Sequence, residues 1–238
     1  MALYSVAVFL FWASQYIYLP TLPTYLQTKV NELSLVGFVL SMYGLWQALI
    51  RLPLGIASDW SGSRKPFLVI GLALGALGTW MLGTSDNLIG LTLGRAITGI
   101  STGVWVVLVV AFSALFPPEE AVRASSLLMI ANSLGRIVAT SSTGALDSLG
   151  GATLPFFVAT GLGLLSALLI LPISETRRAP QSPNLRGMGN LLLRRDVLLP
   201  TLLSVLMQYV LWSTSFGFFS VLAKQFGATS VLQSMIVT

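Results

Sequence analysis

The sequence predicts an all-α membrane protein, a bundle of helices whose solvent is lipid. Composition is the first reason: 55% of the 238 residues are hydrophobic and only 9% are charged. Soluble domains carry about 25% charged residues, so the polar side chains are too few to coat a water-soluble globule of this size. The second reason is length: the apolar residues fall in runs of about 20, the number a helix needs to cross a bilayer. The third is punctuation: most Lys and Arg sit in the polar stretches between the runs.

Taken in order, the spans are expected near 3–26, 34–57, 67–84, 88–115, 124–146, 153–173 and 198–222. The first has no basic segment ahead of it and no small-residue cleavage site behind it. It is also too long for a signal peptide, so it reads as a retained helix. Pro20 and Pro23 sit at its far end, and Pro53 sits near the end of the second. Spans three and four carry Gly71/Gly75 and Gly99/Gly103, a small-xxx-small spacing that lets helix backbones approach closely. An eighth apolar run begins near Ser230 and the chain stops inside it at Thr238, so a further C-terminal portion is expected.

Domain organisation and orientation follow from the connections. Residues 1–173 read as a six-helix transmembrane bundle, 174–197 as a basic linker, and 198–238 as the start of a second bundle. Arg64, Lys65, Arg123, Arg177, Arg178, Arg186, Arg194 and Arg195 fall on one side of the bilayer, and only Lys29 and Lys224 on the other. The positive side is the cytoplasm, which places the N-terminus inside a multi-pass protein of the plasma (inner) membrane.

Composition also removes function classes. There is no Cys and no His, which excludes disulfides, thiolate chemistry, Cys/His metal sites and His-based catalysis from this chain. No metal or other cofactor is expected. The net charge of +5 is spread over separate loops and forms no patch for nucleic acid. An intramembrane enzyme fits poorly, since Ser residues have neither a His nor a carboxylate pair at membrane depth.

Between Leu54 and Pro66 the chain makes a short charged turn between two spans, which must therefore form a helical hairpin. Gly62 permits a tight turn at positive φ. Asp59, at a helix boundary, can accept backbone N–H bonds and complement a positive helix N-terminus. Gly55, Asp59, Gly62, Arg64 and Lys65 fit the pattern G-x-x-x-D-x-x-G-x-R-[KR], preceded by Arg51 and Pro53. This resembles the loop between helices 2 and 3 of major facilitator superfamily (MFS) transporters. The resemblance implies an MFS-type bundle, with a six-span N-terminal half and a partial second half. It implies a secondary transporter that moves a small solute by alternating access, in which Asp59 touches the other half and holds the cytoplasmic gate closed. Glu119 or Glu120 could join that network.

Three arginines lie inside apolar spans, where an ionised group costs on the order of 3 kcal/mol or more. Arg51 is close enough to the interface to snorkel. Arg95, within Leu93–Gly103, resembles the family's R-x-x-x-G-x-x-x-G pattern, which implies a place facing the central cavity and a part in coupling. Arg136, following Asn132 and Gly135, would suit an anionic substrate or a carboxylate from the other half. The Gly-Pro pair that drug antiporters of the family carry further along this helix is missing here. Gln15, Tyr16, Gln47, Gln208, Tyr209 and Trp212 are candidate substrate contacts, polar groups among apolar walls. The expected partners are a small-molecule substrate and the lipid bilayer. Protons are a further candidate, although no Asp or Glu lies deep in a span. The alternative is a multi-span receptor or structural membrane protein that transports nothing.

Overall fold

The computed structural model describes residues 2–175 and 194–238. Most of the linker expected over 174–197, with Arg177, Arg178 and Arg186, lies outside the described residues. Among the described residues every regular element is helical.

Proline and glycine decide where the apolar runs break. The first run divides into α1 (Ala2–Tyr16) and α2 (Leu22–Gln27). Pro20 lacks an N–H to continue the ladder, and Pro23 opens the new helix, where a missing N–H costs nothing. The second run is α3 (Leu33–Ser61), which continues through Pro53, and the third is α4 (Lys65–Thr84). The fourth bends at Val104, just after Ser101-Thr102-Gly103, into α5 (Leu88–Gly103) and α6 (Trp105–Ser113). Helices α7 (Ala121–Gly150) and α8 (Leu154–Ile170) complete the first bundle.

Beyond the linker, α9 (Arg195–Ser213) runs into one wide π turn at Thr214–Phe218. The chain then continues as α10 (Phe219–Gln225) and α11 (Ser230–Val237). Four stretches are long and apolar enough to cross a membrane: Leu33–Ser61, Lys65–Thr84, Leu88–Ser113 and Arg195–Gln225. Helix α7 has 30 residues, but with Arg123, Arg136, Asp147 and many hydroxyls it is much less apolar than these four.

Helix α5 packs against both α3 and α4, α4 also packs on α8, and α1 lies between α7 and α8. Small residues set these approaches. Added Cβ atoms would stand 2.8 Å from Thr98 Cγ2 and 2.9 Å from the Gly94 carbonyl oxygen at Gly78, and 2.4 Å from the Tyr43 carbonyl oxygen at Gly99. Hydroxyls join other pairs: Ser14 and Ser166 donate to the carbonyl oxygens of Ala159 and Ala7, at 2.7 and 2.8 Å, tying α1 to α8. In hydrocarbon these polar groups have no water to fall back on. Outward-facing Leu49, Leu52, Ile70, Trp80, Ile89 and Leu168 are exposed, as a lipid-facing surface requires.

The C-terminal segment joins the first bundle at the end away from the charged turn. There α11 lies on α7, with the Val231 backbone against Gly144. Thr24 donates to Gln233 Oε1 at 3.2 Å and Thr238 donates to Thr140 Oγ1 at 3.0 Å. Helix α9 itself has no buried residue.

Gly99→Val should destabilise the detergent-solubilised protein by about 1–3 kcal/mol or more, because its Cβ meets immovable backbone. Gly44→Ala, with open space around it, should be neutral or stabilising by up to about 1 kcal/mol. Thermal unfolding of both variants reads the contrast, and equal behaviour would contradict the packing described.

Candidate functional site

Two polar constellations stand out, one at the charged turn and one around Arg95. At the turn, α3 ends on Gly62, whose φ of 66° is left-handed and suits only glycine at low cost. The Gly62 N–H reaches back to the Asp59 carbonyl at 3.3 Å. Arg64 Nη2 donates to Asp59 Oδ1 at 2.9 Å. The Asp59 carboxylate is 51% exposed, and among the described residues it bonds only within its own turn.

The carboxylate that caps α4 is Glu175, just past α8, rather than Asp59. Its oxygens accept from the Arg64 N–H at 2.6 Å, the Lys65 N–H at 3.0 Å and the Ser63 hydroxyl at 2.8 Å. An anion at a helix N-terminus meets unpaired N–H groups and the positive end of the dipole. Burial works to raise the Glu175 pKa. The backbone bonds from Arg64 and Lys65, the Ser63 hydroxyl and the Arg64 charge overcome it and hold the carboxyl below its usual value. Glu120, expected as a possible member of this network, pairs instead with Arg123 at 2.9 Å. Sequence reasoning missed Glu175 because 110 residues separate it from Lys65. Gly55 has open space around it, so no contact among the described residues requires glycine there.

Arg95 is 2% exposed despite its charge. Its Nη1 donates to Tyr18 Oη at 3.3 Å, and its guanidinium lies 4.3 Å from the centroid of the Tyr43 ring. It borders a cavity of about 320 Å³ whose other walls include Tyr209, Trp212 and Phe216. Trp212 packs on Tyr43 with centroids 5.1 Å apart, and Phe216 meets Tyr16 edge-on at 5.7 Å. Arg136, exposed on α7, stands 5.6 Å above the Tyr16 ring.

The structure therefore brings Tyr16, Arg95, Arg136, Tyr209 and Trp212 into one region. Gln15 is buried with its amide unpartnered, beside the equally unpartnered Ser101 hydroxyl across Gly75. Asn132 and Gln47 are partly buried, and neither lines the Arg95 cavity. Gln208 lies exposed on α9, outside the cavity wall. Arg51 is exposed on α3, consistent with a snorkelling side chain. Phe216 and the π turn were not legible in the sequence, since a one-residue widening leaves no compositional mark; such turns recur at functional sites.

Comparison with known proteins settles the family. The model of the Major Facilitator Superfamily matches residues 4–238. This chain belongs to that superfamily. It is 42% identical over 82 residues to the inner membrane transport protein YajR of Escherichia coli strain K12, covering 34% of this chain and 18% of that protein. It is 32% identical over 164 residues to the class H tetracycline resistance protein of Pasteurella multocida, covering 67% of this chain and 40% of that protein. The chain thus spans less than half the length of these curated relatives. Among solved structures, a bacterial homologue of the human lysosomal transporter Spinster, inward-facing and unoccupied, superposes with a TM-score of 0.74 at 14% identity. That match covers 99% of this chain and 57% of the other. The human organic anion transporter MFSD10 superposes with a TM-score of 0.71 at 20% identity, covering 99% and 68%. These likenesses establish the fold, an MFS-type helical bundle, and membership of the superfamily makes the protein integral to the membrane and multi-pass.

Because the folded Glu175 pKa lies below the unfolded one, its contribution is complete above the ordinary carboxylate value and is lost as pH falls through the folded one. Glu175→Gln should cost about 1 kcal/mol at neutral pH. The gap to the parent should close below about pH 4. Thermal unfolding from pH 7 to pH 3 measures this, and a gap constant across that range would remove the charge from the account.

Proposed function

We propose that this protein is a secondary transporter that carries a small solute through the bilayer, chemically unchanged, by alternating access. Family membership supports the class, and the Arg95 cavity between the first bundle and the α9–α10 segment supports the place. Two halves that rock about a central site need a cavity at their junction. In this reading residues 1–173 form one half, 174–197 a cytoplasmic linker and 198–238 the beginning of the other.

The charged turn lies on the cytoplasmic side by the distribution of Lys and Arg, and the N-terminus lies with it. An inner, or plasma, membrane fits the name of the YajR relative. The α2 and α11 ends then face outward, and the contacts of Thr24 with Gln233 and Thr140 with Thr238 close that face. With the outer face closed, the inner gate stands open. Asp59, half exposed and, among the described residues, with its carboxylate bonded only to Arg64, suits an unlatched gate. Docking of the other half onto Asp59, Arg64 and Lys65 would favour the opposite state. An exposed charge contact is worth about 0–1 kcal/mol, enough to bias two states without locking either.

The absence of Cys makes a direct test possible. Ser41 lines the cavity. An impermeant maleimide should label Ser41→Cys both in intact cells and in inverted vesicles. Adding Asp59→Asn should move the ratio up to about fivefold toward the cytoplasmic face, the equivalent of 1 kcal/mol. Labelling from one face only would favour a receptor or structural protein.

A further inference from the structure

The Arg95 cavity has a charge problem that the residues described here do not solve. The guanidinium cannot deprotonate and carries five N–H donors. One reaches Tyr18, at a long 3.3 Å, while Nε is buried without a partner. Tyr43 covers one face of the group but supplies no counter-charge. All eight Asp and Glu residues of the sequence lie in connections or within four residues of a helix end, and none lines this cavity. A buried charge left in this condition costs several kcal/mol unless an anion joins it.

The rest of the cavity states what else that anion must be. Its volume, about 320 Å³, is that of a small organic ligand. The π turn brings Phe216 and Phe218 to the wall opposite Arg95, beside Trp212 on the last turn of α9. Phe216 and Trp212 contact one another with centroids 5.0 Å apart, forming a broad aromatic surface. Arg136, exposed on α7 and 5.6 Å over the Tyr16 ring that abuts Phe216, adds a second positive charge near this aromatic cluster. A cation would be repelled. A neutral solute would leave the Arg95 charge uncompensated, and a bare inorganic anion would leave the aromatic surface uncovered.

We propose that the Arg95 cavity binds an organic anion with a flat apolar body, its acid group on Arg95 and its body against Trp212 and Phe216. This assigns a substrate class and rests on the transport reading above only for the anion's passage across the membrane; binding stands on the cavity alone.

The experiment is a head-group series on one ring system, measured by calorimetry on the purified protein in nanodiscs, with empty nanodiscs subtracted. The probes are 2-naphthoate, 2-naphthylmethanol and 2-naphthylmethylammonium. Naphthoate should bind about tenfold or more tighter than the other two, the scale of one charge-assisted hydrogen bond. Arg95→Gln should abolish that preference and Arg95→Lys should retain part of it. Equal binding of the three probes by the parent protein overturns the proposal. Unchanged naphthoate preference in Arg95→Gln overturns it as well. If that variant fails to elute as a single species, the ranking in the parent decides. Should naphthoate preference hold while Ser41→Cys is labelled from one face only, the site stands and the transport reading fails.

Discussion

Close approach of backbones at α5 is the constraint on which the rest of the structure depends. In lipid there is little hydrophobic force between helices, so contact area must come from fitting surfaces together. Gly78 and Gly94 let α4 and α5 meet nearly backbone to backbone, and Gly99 lets α5 rest on the Tyr43 carbonyl of α3. A helix held this tightly on two sides has little freedom to rotate. Arg95, one residue beyond Gly94, is therefore committed to the interior, between Tyr18 of the α1–α2 turn and Tyr43 of α3.

Charge is then handled in two different ways. At the membrane boundary Glu175 closes the first bundle by bonding to the start of α4, which links the segment after α8 to the hairpin turn between α3 and α4. This pairing is local, exposed in part and sensitive to pH. In the interior Arg95 has an aromatic face and one hydroxyl, and no opposite charge among the described residues. The first arrangement stabilises the bundle. The second leaves a buried charge with no counter-charge among the described residues.

The two ends of the molecule are also unlike. One end is joined across α2, α7 and α11 by hydroxyl and amide hydrogen bonds. At the other, α9 runs exposed and Asp59 bonds within its own turn. Polar contacts of this kind are worth about 1 kcal/mol each.

The sequence by itself determined the lipid environment, the helical class, the position of the charged turn, the left-handed Gly62 and the value of Arg95 as a residue apart. These are set by local composition, by the steric freedom of one residue, or by spacing within one helix. Only the tertiary structure decided which carboxylate caps α4, where Glu175 prevailed over the nearer Asp59 and Glu120 took Arg123. It alone separated Gln208 from the cavity that its neighbours Tyr209 and Trp212 enter, and brought Phe216 to that wall. The Glu175 cap depends on partners 110 and 111 residues away, and the Phe216 wall on a single-residue widening of a helical turn. The energies of such choices lie in contacts between elements, and a linear pattern of apolar and polar residues does not encode which elements meet.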